Sequence, residues 1–251
     1  MKNTVLFAGL AAGLMLTAVA SARPVPNGVV AVDRLFNDYP NSTLTVTNNY
    51  PAQVQWNETN FGNGGFANRH ARYFSADGGA SAIDWNYADA FDLALTVDLD
   101  ATPVGGREAG FHTDLFGLGI FGVLPNGEIA AFGSILPFHS FGNVWAPGTP
   151  VRLQMIHTPG NGDGVTAGTI PSTIEYRYDL GAGAISSGAI PFTTTEGGIP
   201  SNFNFLVGFG VQNAGAAGGT SNANFTNIVV PAPGAAALLG LGGLAMIRRR
   251  R

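Results

Sequence analysis

The stretch Phe91-Asp92-Leu93-Ala94-Leu95-Thr96-Val97-Asp98-Leu99 decides the fold. Phe91, Leu93, Leu95, Val97 and Leu99 recur at every second position, with Asp92, Ala94, Thr96 and Asp98 between them. Alternate residues of a strand point to opposite faces, so the segment reads as a strand with one face on a core. The same period returns elsewhere in the chain. Val151, Leu153 and Met155 alternate with Arg152 and Gln154, and Ile174, Tyr176 and Tyr178 with Glu175, Arg177 and Asp179. Phe203, Phe205, Val207, Phe209 and Val211 alternate with Asn204, Gly208, Gly210 and Gln212. Two further apolar runs, 118–123 and 128–132, flank Leu124-Pro125-Asn126-Gly127, and Asn-Gly between such runs is a strong hairpin signal. Segments 28–35, 43–47, 52–56, 69–74, 108–113 and 223–230 add strand candidates. No stretch between residues 23 and 230 carries a sustained helical stripe. Many short strands separated by Gly, Pro and Asn turns imply an all-β sandwich or barrel of antiparallel sheets.

The chain has 251 residues, with 36 Gly, no Cys and 11% charged residues. Without cysteine there is no disulfide scaffold, thiolate metal site or Cys nucleophile. The formal charge of −4 hides an asymmetry: the single Lys is Lys2, and four Arg are Arg248, Arg249, Arg250 and Arg251. Without those five, 7 basic residues face 16 acidic ones, a net of −9. The body is acidic and has no basic cluster, which excludes a nucleic-acid footprint.

Three segments follow: 1–22, 23–230 and 231–251. Lys2 precedes the apolar run 5–20, and Ala20-Ser21-Ala22 is a small-x-small cleavage site. Residues 1–22 therefore read as a secretory signal peptide, with signal peptidase leaving Arg23 as the first mature residue. The run's 16 residues make about 24 Å of helix, short of a membrane span. At the other end, Pro231-Ala232-Pro233 precedes 14 apolar residues and the four Arg. That apolar helix is also short, about 21 Å, and the Arg cluster favours the cytoplasmic side.

Pro231-Ala232-Pro233, the Gly/Leu run 234–247 and Arg248–Arg251 together resemble a PEP-CTERM sorting signal. Ala232 stands where that signal usually has Glu. The resemblance implies transient inner-membrane insertion, processing by an exosortase-type enzyme, and a final place in the cell envelope or an exopolysaccharide-containing matrix. The body resembles concanavalin-like jelly rolls in three features. These are Ala90-Phe91-Asp92-Leu93, its Gly/Asn turns, and a long strand at 203–211 followed by a closing Phe225-Thr226-Asn227-Ile228 strand. In that fold a closing strand commonly pairs back near the N-terminus. The expected architecture is a two-sheet jelly-roll sandwich, with a signal helix before it and a short apolar helix after it.

Chemistry-bearing motifs are sparse. Jelly-roll hydrolases resemble one another in a Glu-x-Asp-x-Glu run, absent here; the only acidic pair two apart is Asp98 and Asp100, on the polar side of its strand. Jelly-roll lyases are similar in a Gln-x-His pair, but Gln154 and His157 are three apart and face opposite ways on a regular strand. His70, His112, His139 and His157 lack metal-ligand spacing. Asn161-Gly162-Asp163-Gly164 offers calcium-type oxygen ligands on a turn, though turn chemistry alone explains it and no cofactor is implied. Trp85, Trp145 and His139 are the candidate ligand contacts, since flat aromatic rings suit pyranose faces. No catalytic or metal set is assigned. The leading expectation is a non-enzymatic structural or adhesive protein associated with exopolysaccharide. Two alternatives stay open. A lectin-like module would bring Trp85, Trp145 and His139 onto one concave face. A carbohydrate-active enzyme would bring two carboxylates, or Gln, His and Tyr, into one groove.

Overall fold

The structure is a computed structural model that describes residues 25–229, apart from 63–64, 87, 103–105, 115–117, 134, 162–169, 193–203 and 215–216. The signal residues Ala20, Ala22 and Arg23 and the tail residues Pro231, Ala232, Pro233 and Arg248–Arg251 lie outside the described residues, as do both expected flanking helices.

Among the described residues every regular element is a strand, and every pairing is antiparallel. One eight-stranded sheet, sheet A, contains β1 (Gly28–Leu35), β4 (Asn68–Ser75), β5 (Asp84–Trp85), β7 (Arg107–Asp114), β8 (Leu118–Val123), β9 (Glu128–Gly133), β10 (His139–Asn143) and β15 (Phe205–Asn213). Its order is β1-β4-β15-β7-β8-β9-β10, with β5 paired to β15. The second, sheet B, contains β2 (Thr43–Asn49), β3 (Gln53–Thr59), β6 (Phe91–Thr102), β11 (Val151–Thr158), β12 (Thr173–Asp179), β13 (Ile185–Ser186), β14 (Ile190–Pro191) and β16 (Thr220–Val229). Its order is β13-β12-β11-β6-β16-β3-β2, with β14 paired to β12. The all-β, two-sheet expectation is met.

Period two is what holds the sheets together. Leu93, Leu95, Val97 and Leu99 of β6 meet Phe111, Phe121, Val207, Phe209 and Val211 of sheet A in one buried cluster. Phe209 and Phe225 approach across the sandwich with ring centroids 5.2 Å apart. The 124–127 turn forms as its composition predicts. Gly127 adopts φ +92°, its N–H donates to the Leu124 carbonyl at 2.9 Å, and Asn126 Oδ1 accepts from Glu128 N–H at 3.0 Å.

Two details differ from the expectation. The closing strand β16 pairs with β3 and β6 in the middle of sheet B, whereas β1 edges the other sheet and pairs with β4. Residues 139–143, which their glycine-flanked sequence suggests are a loop, form edge strand β10 on β9. Phe203 lies outside the described residues, while Phe205, Val207, Phe209 and Val211 are buried.

Candidate functional site

Trp85 and Trp145 are 2% and 4% exposed and belong to the core. Trp85 packs edge-on against Phe91 at 5.3 Å. Trp145 is turned inward: its backbone N–H reaches the Gly127 carbonyl at 2.9 Å and its Nε1–H the Thr149 carbonyl at 2.8 Å. Half-buried His139 instead lies beside Phe141 and Tyr176. The expected platform of Trp85, Trp145 and His139 is corrected on this point: burying the large indole faces places them between the sheets, where no sugar can stack. Gln154 and His157 do face opposite ways. Gln154 Nε2 donates to Asp92 Oδ1 at 2.7 Å on the outer face, and His157 is buried with Nδ1 2.7 Å from the Asp89 carbonyl. Burial pushes the His157 pKa down to about 4. Asp98 and Asp100 lie on the outer side of β6, and burial together with the Asp100 charge raises the Asp98 pKa. Residues 162–164 of the calcium-like turn lie outside the described residues.

The outer face of sheet A gathers the more notable set. Alternation turns Arg69, Ala71 and Tyr73 of β4 away from the core, with Gly208, Gly210 and Gln212 of β15 and Glu108, Gly110, His112 and Asp114 of β7. Register aligns Ala71, Gly210, Gly110, Gly122 and Ala130 in one row across five strands. This row is a low floor with almost no side-chain volume. A Cβ on Gly110 would overlap the Phe121 carbonyl oxygen, and one on Gly210 would come within 2.9 Å of His112 Cε1. Only glycine admits such an approach.

Over that floor lies a linked polar group. Arg69 Nη2 donates to Tyr73 Oη at 3.1 Å and pairs closely with Asp114, which also accepts from the Tyr73 hydroxyl. Burial, then the Asp114 charge, raise the Tyr73 pKa, so the phenol stays protonated. His112 is 0% exposed, and neither ring nitrogen has a hydrogen-bond partner. Burial, reinforced by the Arg69 charge, lowers its pKa to about 3 and keeps it neutral. Gln212 Nε2 donates to Glu108 Oε2 at 3.2 Å, and burial raises the Glu108 pKa to about 7 despite that bond. Neutral His112 presents one donor and one acceptor with nothing to satisfy them, an unusual condition for buried polar atoms.

A second polar cluster sits inside the sandwich near the β1 edge. Glu58 accepts from Ser42 Oγ at 2.5 Å, Asn68 Nδ2 at 2.6 Å and Asn213 Nδ2 at 2.9 Å, with His70 Nε2 at 3.0 Å. Burial opposes its ionisation, but these bonds prevail and bring its pKa to about 2. Asp33 accepts from Trp56 Nε1 at 2.8 Å and binds Arg72 at 2.9 and 3.1 Å. Arg34 N–H points at His70 Nδ1 at 3.2 Å, which leaves the ring proton on Nε2 facing Glu58. Burial disfavours a charged His70, yet Asp33 and Glu58 outweigh it and raise the pKa. The Glu58 oxygens are already occupied, so this cluster braces β1, β3, β4 and β15 rather than offering an open site.

No sequence motif joins His112, Tyr73 and Arg69, and His112 stands out only as one of four His without metal-ligand spacing. The legible signal was Glu108-x-Gly110-x-His112-x-Asp114, polar or small at every second position. No protein-family model matches the chain, and no characterised protein sequence does. Among solved structures it is similar to a functionally unknown protein from Saccharomyces cerevisiae, with 11% identity over 78% of this chain and 98% of that one and a TM-score of 0.40. A likeness that distant carries no functional argument.

Proposed function

We propose that this protein is an exported component of the cell envelope or extracellular matrix, non-enzymatic, whose jelly-roll-like sandwich binds polysaccharide at the Asp114 end of the outer face of sheet A. The observation that carries the binding reading is Asp114, whose side chain stays 24% exposed on this face while it is fixed by Arg69 and the Tyr73 hydroxyl. Sugar hydroxyls donate hydrogen bonds, and they complement a partly exposed carboxylate held in one orientation. Two features favour binding over catalysis. Glu108 and Asp114 are six residues apart on one strand, about 20 Å at roughly 3.3 Å per residue. Glycoside hydrolysis needs two carboxyls within about 5–9.5 Å. The Tyr73 phenol, locked to Asp114, is a poor proton acceptor.

The export half rests on the likeness of 1–22 to a signal peptide and of 231–251 to a PEP-CTERM tail. Chain switching between sheets supports the jelly-roll half, since β1, β4 and β15 share one sheet while β3 and β16 share the other. Affinity electrophoresis of the mature protein through polysaccharide gels tests the binding: retardation that weakens in Asp114→Asn supports it. Free migration in every gel, or release of reducing or unsaturated sugars, overturns it. Export is tested separately by intact mass, with Arg23 expected as first residue. Pro231→Ala with Pro233→Ala should leave an uncut precursor in the inner membrane.

A further inference from the structure

Phe36 and Phe66 are exposed aromatics beside Arg69 of this face. They are 53% and 60% exposed, and their rings meet edge-on at 5.6 Å. Neither is a loose surface side chain. Phe36 has φ +72°, between Arg34 at +59° and Asn37 at +52°, a conformation that a bulky residue avoids unless its surroundings impose it. The surroundings do impose it. Arg34 Nη1 and Nη2 grip the Tyr39 carbonyl, Ser42 Oγ and the Ser42 carbonyl at 3.0, 3.0 and 2.6 Å. Asp38 Oδ2 accepts from Phe66 and Ala67 N–H at 2.7 and 3.0 Å, tying the two aromatic segments together. Exposing this ring pair to water costs free energy, yet a strained backbone holds it outward.

The pair also adjoins the polar face. The Arg69 guanidinium lies 5.5 Å from the Phe36 ring centroid and continues to Tyr73 and Asp114. An apolar ring surface thus stands one arginine side chain from hydroxyl-binding groups. We infer that Phe36 and Phe66 form an aromatic clip that stacks on the apolar face of an uncharged pyranose ring, whose hydroxyls turn toward the partly exposed Asp114 carboxylate. The sugar is uncharged because Arg69 is already neutralised by Asp114 and the body carries a net of −9, so a polyanion gains no free cation and meets repulsion.

This inference rests on the polysaccharide reading of sheet A and deepens it. The test uses affinity electrophoresis of the mature protein in gels containing dextran, mannan or alginate, at low ionic strength. A neutral polysaccharide should retard the wild type more than alginate does. Phe36→Ala combined with Phe66→Ala should weaken that retardation at least tenfold, with Phe138→Ala, another exposed aromatic, unchanged. Phe36→Gly should lose binding while melting no lower than wild type, because glycine relaxes the positive φ. If Asp114→Asn weakens binding and the double Phe variant does not, the clip is wrong and the face reading stands. If the double variant weakens it and Asp114→Asn does not, the face reading fails and the clip, as directed at Asp114, fails with it. Preference for alginate, no retardation in any gel, or a wild-type dimer that the double variant converts to monomer each overturns the clip.

Discussion

His112 shows what one residue contributes when the sheet leaves it no partner. Its pKa falls to about 3 in the folded protein against an ordinary value near 6.5, because burial and Arg69 both oppose a charged ring. The sign follows directly. Below about pH 6.5 the unfolded chain takes up a proton that the folded chain refuses, so stability is present above that pH and lost as pH falls toward 3. The slope for this one group is about 1.4 kcal/mol per pH unit. His112→Phe should therefore flatten the acid limb of a stability-against-pH curve measured by urea unfolding between pH 6.5 and 4. His157, depressed to about 4 by burial, keeps a similar slope in that variant. A curve parallel to wild type would show that His112 is protonated in the native state.

At the scale of elements, sheet A depends on glycine where it could have carried side chains. The Gly210, Gly110 and Gly122 row lies in the three central strands β15, β7 and β8, and each accepts backbone from a neighbour where a Cβ would stand. Gly110→Ala should cost more than about 2 kcal/mol, since the clash is with backbone and cannot be relieved by a rotamer change. Gly62→Ala, with open space around its Cβ and no positive φ, should fall within about 0.5 kcal/mol of wild type. Chemical denaturation of the two variants side by side checks this. Equal stabilities would mean that the glycine floor serves no packing need. Strand β10 illustrates the limit of local reading. His139-Ser140-Phe141-Gly142-Asn143 has turn-like composition, and it becomes a strand because β9 offers an unpaired edge.

For the whole molecule, the two sheets share one apolar cluster, and no second core appears among the described residues. Unfolding should be a single cooperative transition. Phe225→Ala removes a ring that touches Trp56 beside it in sheet B and Phe209 across the sandwich, and it should lower stability by about 3–5 kcal/mol while keeping one transition. Differential scanning calorimetry checks both parts; a split into two transitions would show that the sheets unfold independently.

The sequence by itself determined the class of the fold, because a strand announces its faces through a period carried by neighbours two apart. Phe91 to Leu99, Val151 to Met155 and the 124–127 turn were legible for that reason. So was the failure of Gln154 and His157 to share a face. What only the tertiary structure decided is which faces meet and what collects on the face that does not. Arg69, His112 and Asp114 lie up to 45 residues apart, and their juxtaposition depends on β15 entering between β4 and β7, a register that no local pattern encodes. Trp85 and Trp145 had the composition of ligand contacts, and packing turned them inward because apolar area is better buried than exposed. Phe36 had no signal at all. Its exposure comes from a strained backbone that Arg34 and its buried neighbours hold in place, and strain of that kind exists only once the surrounding structure has formed.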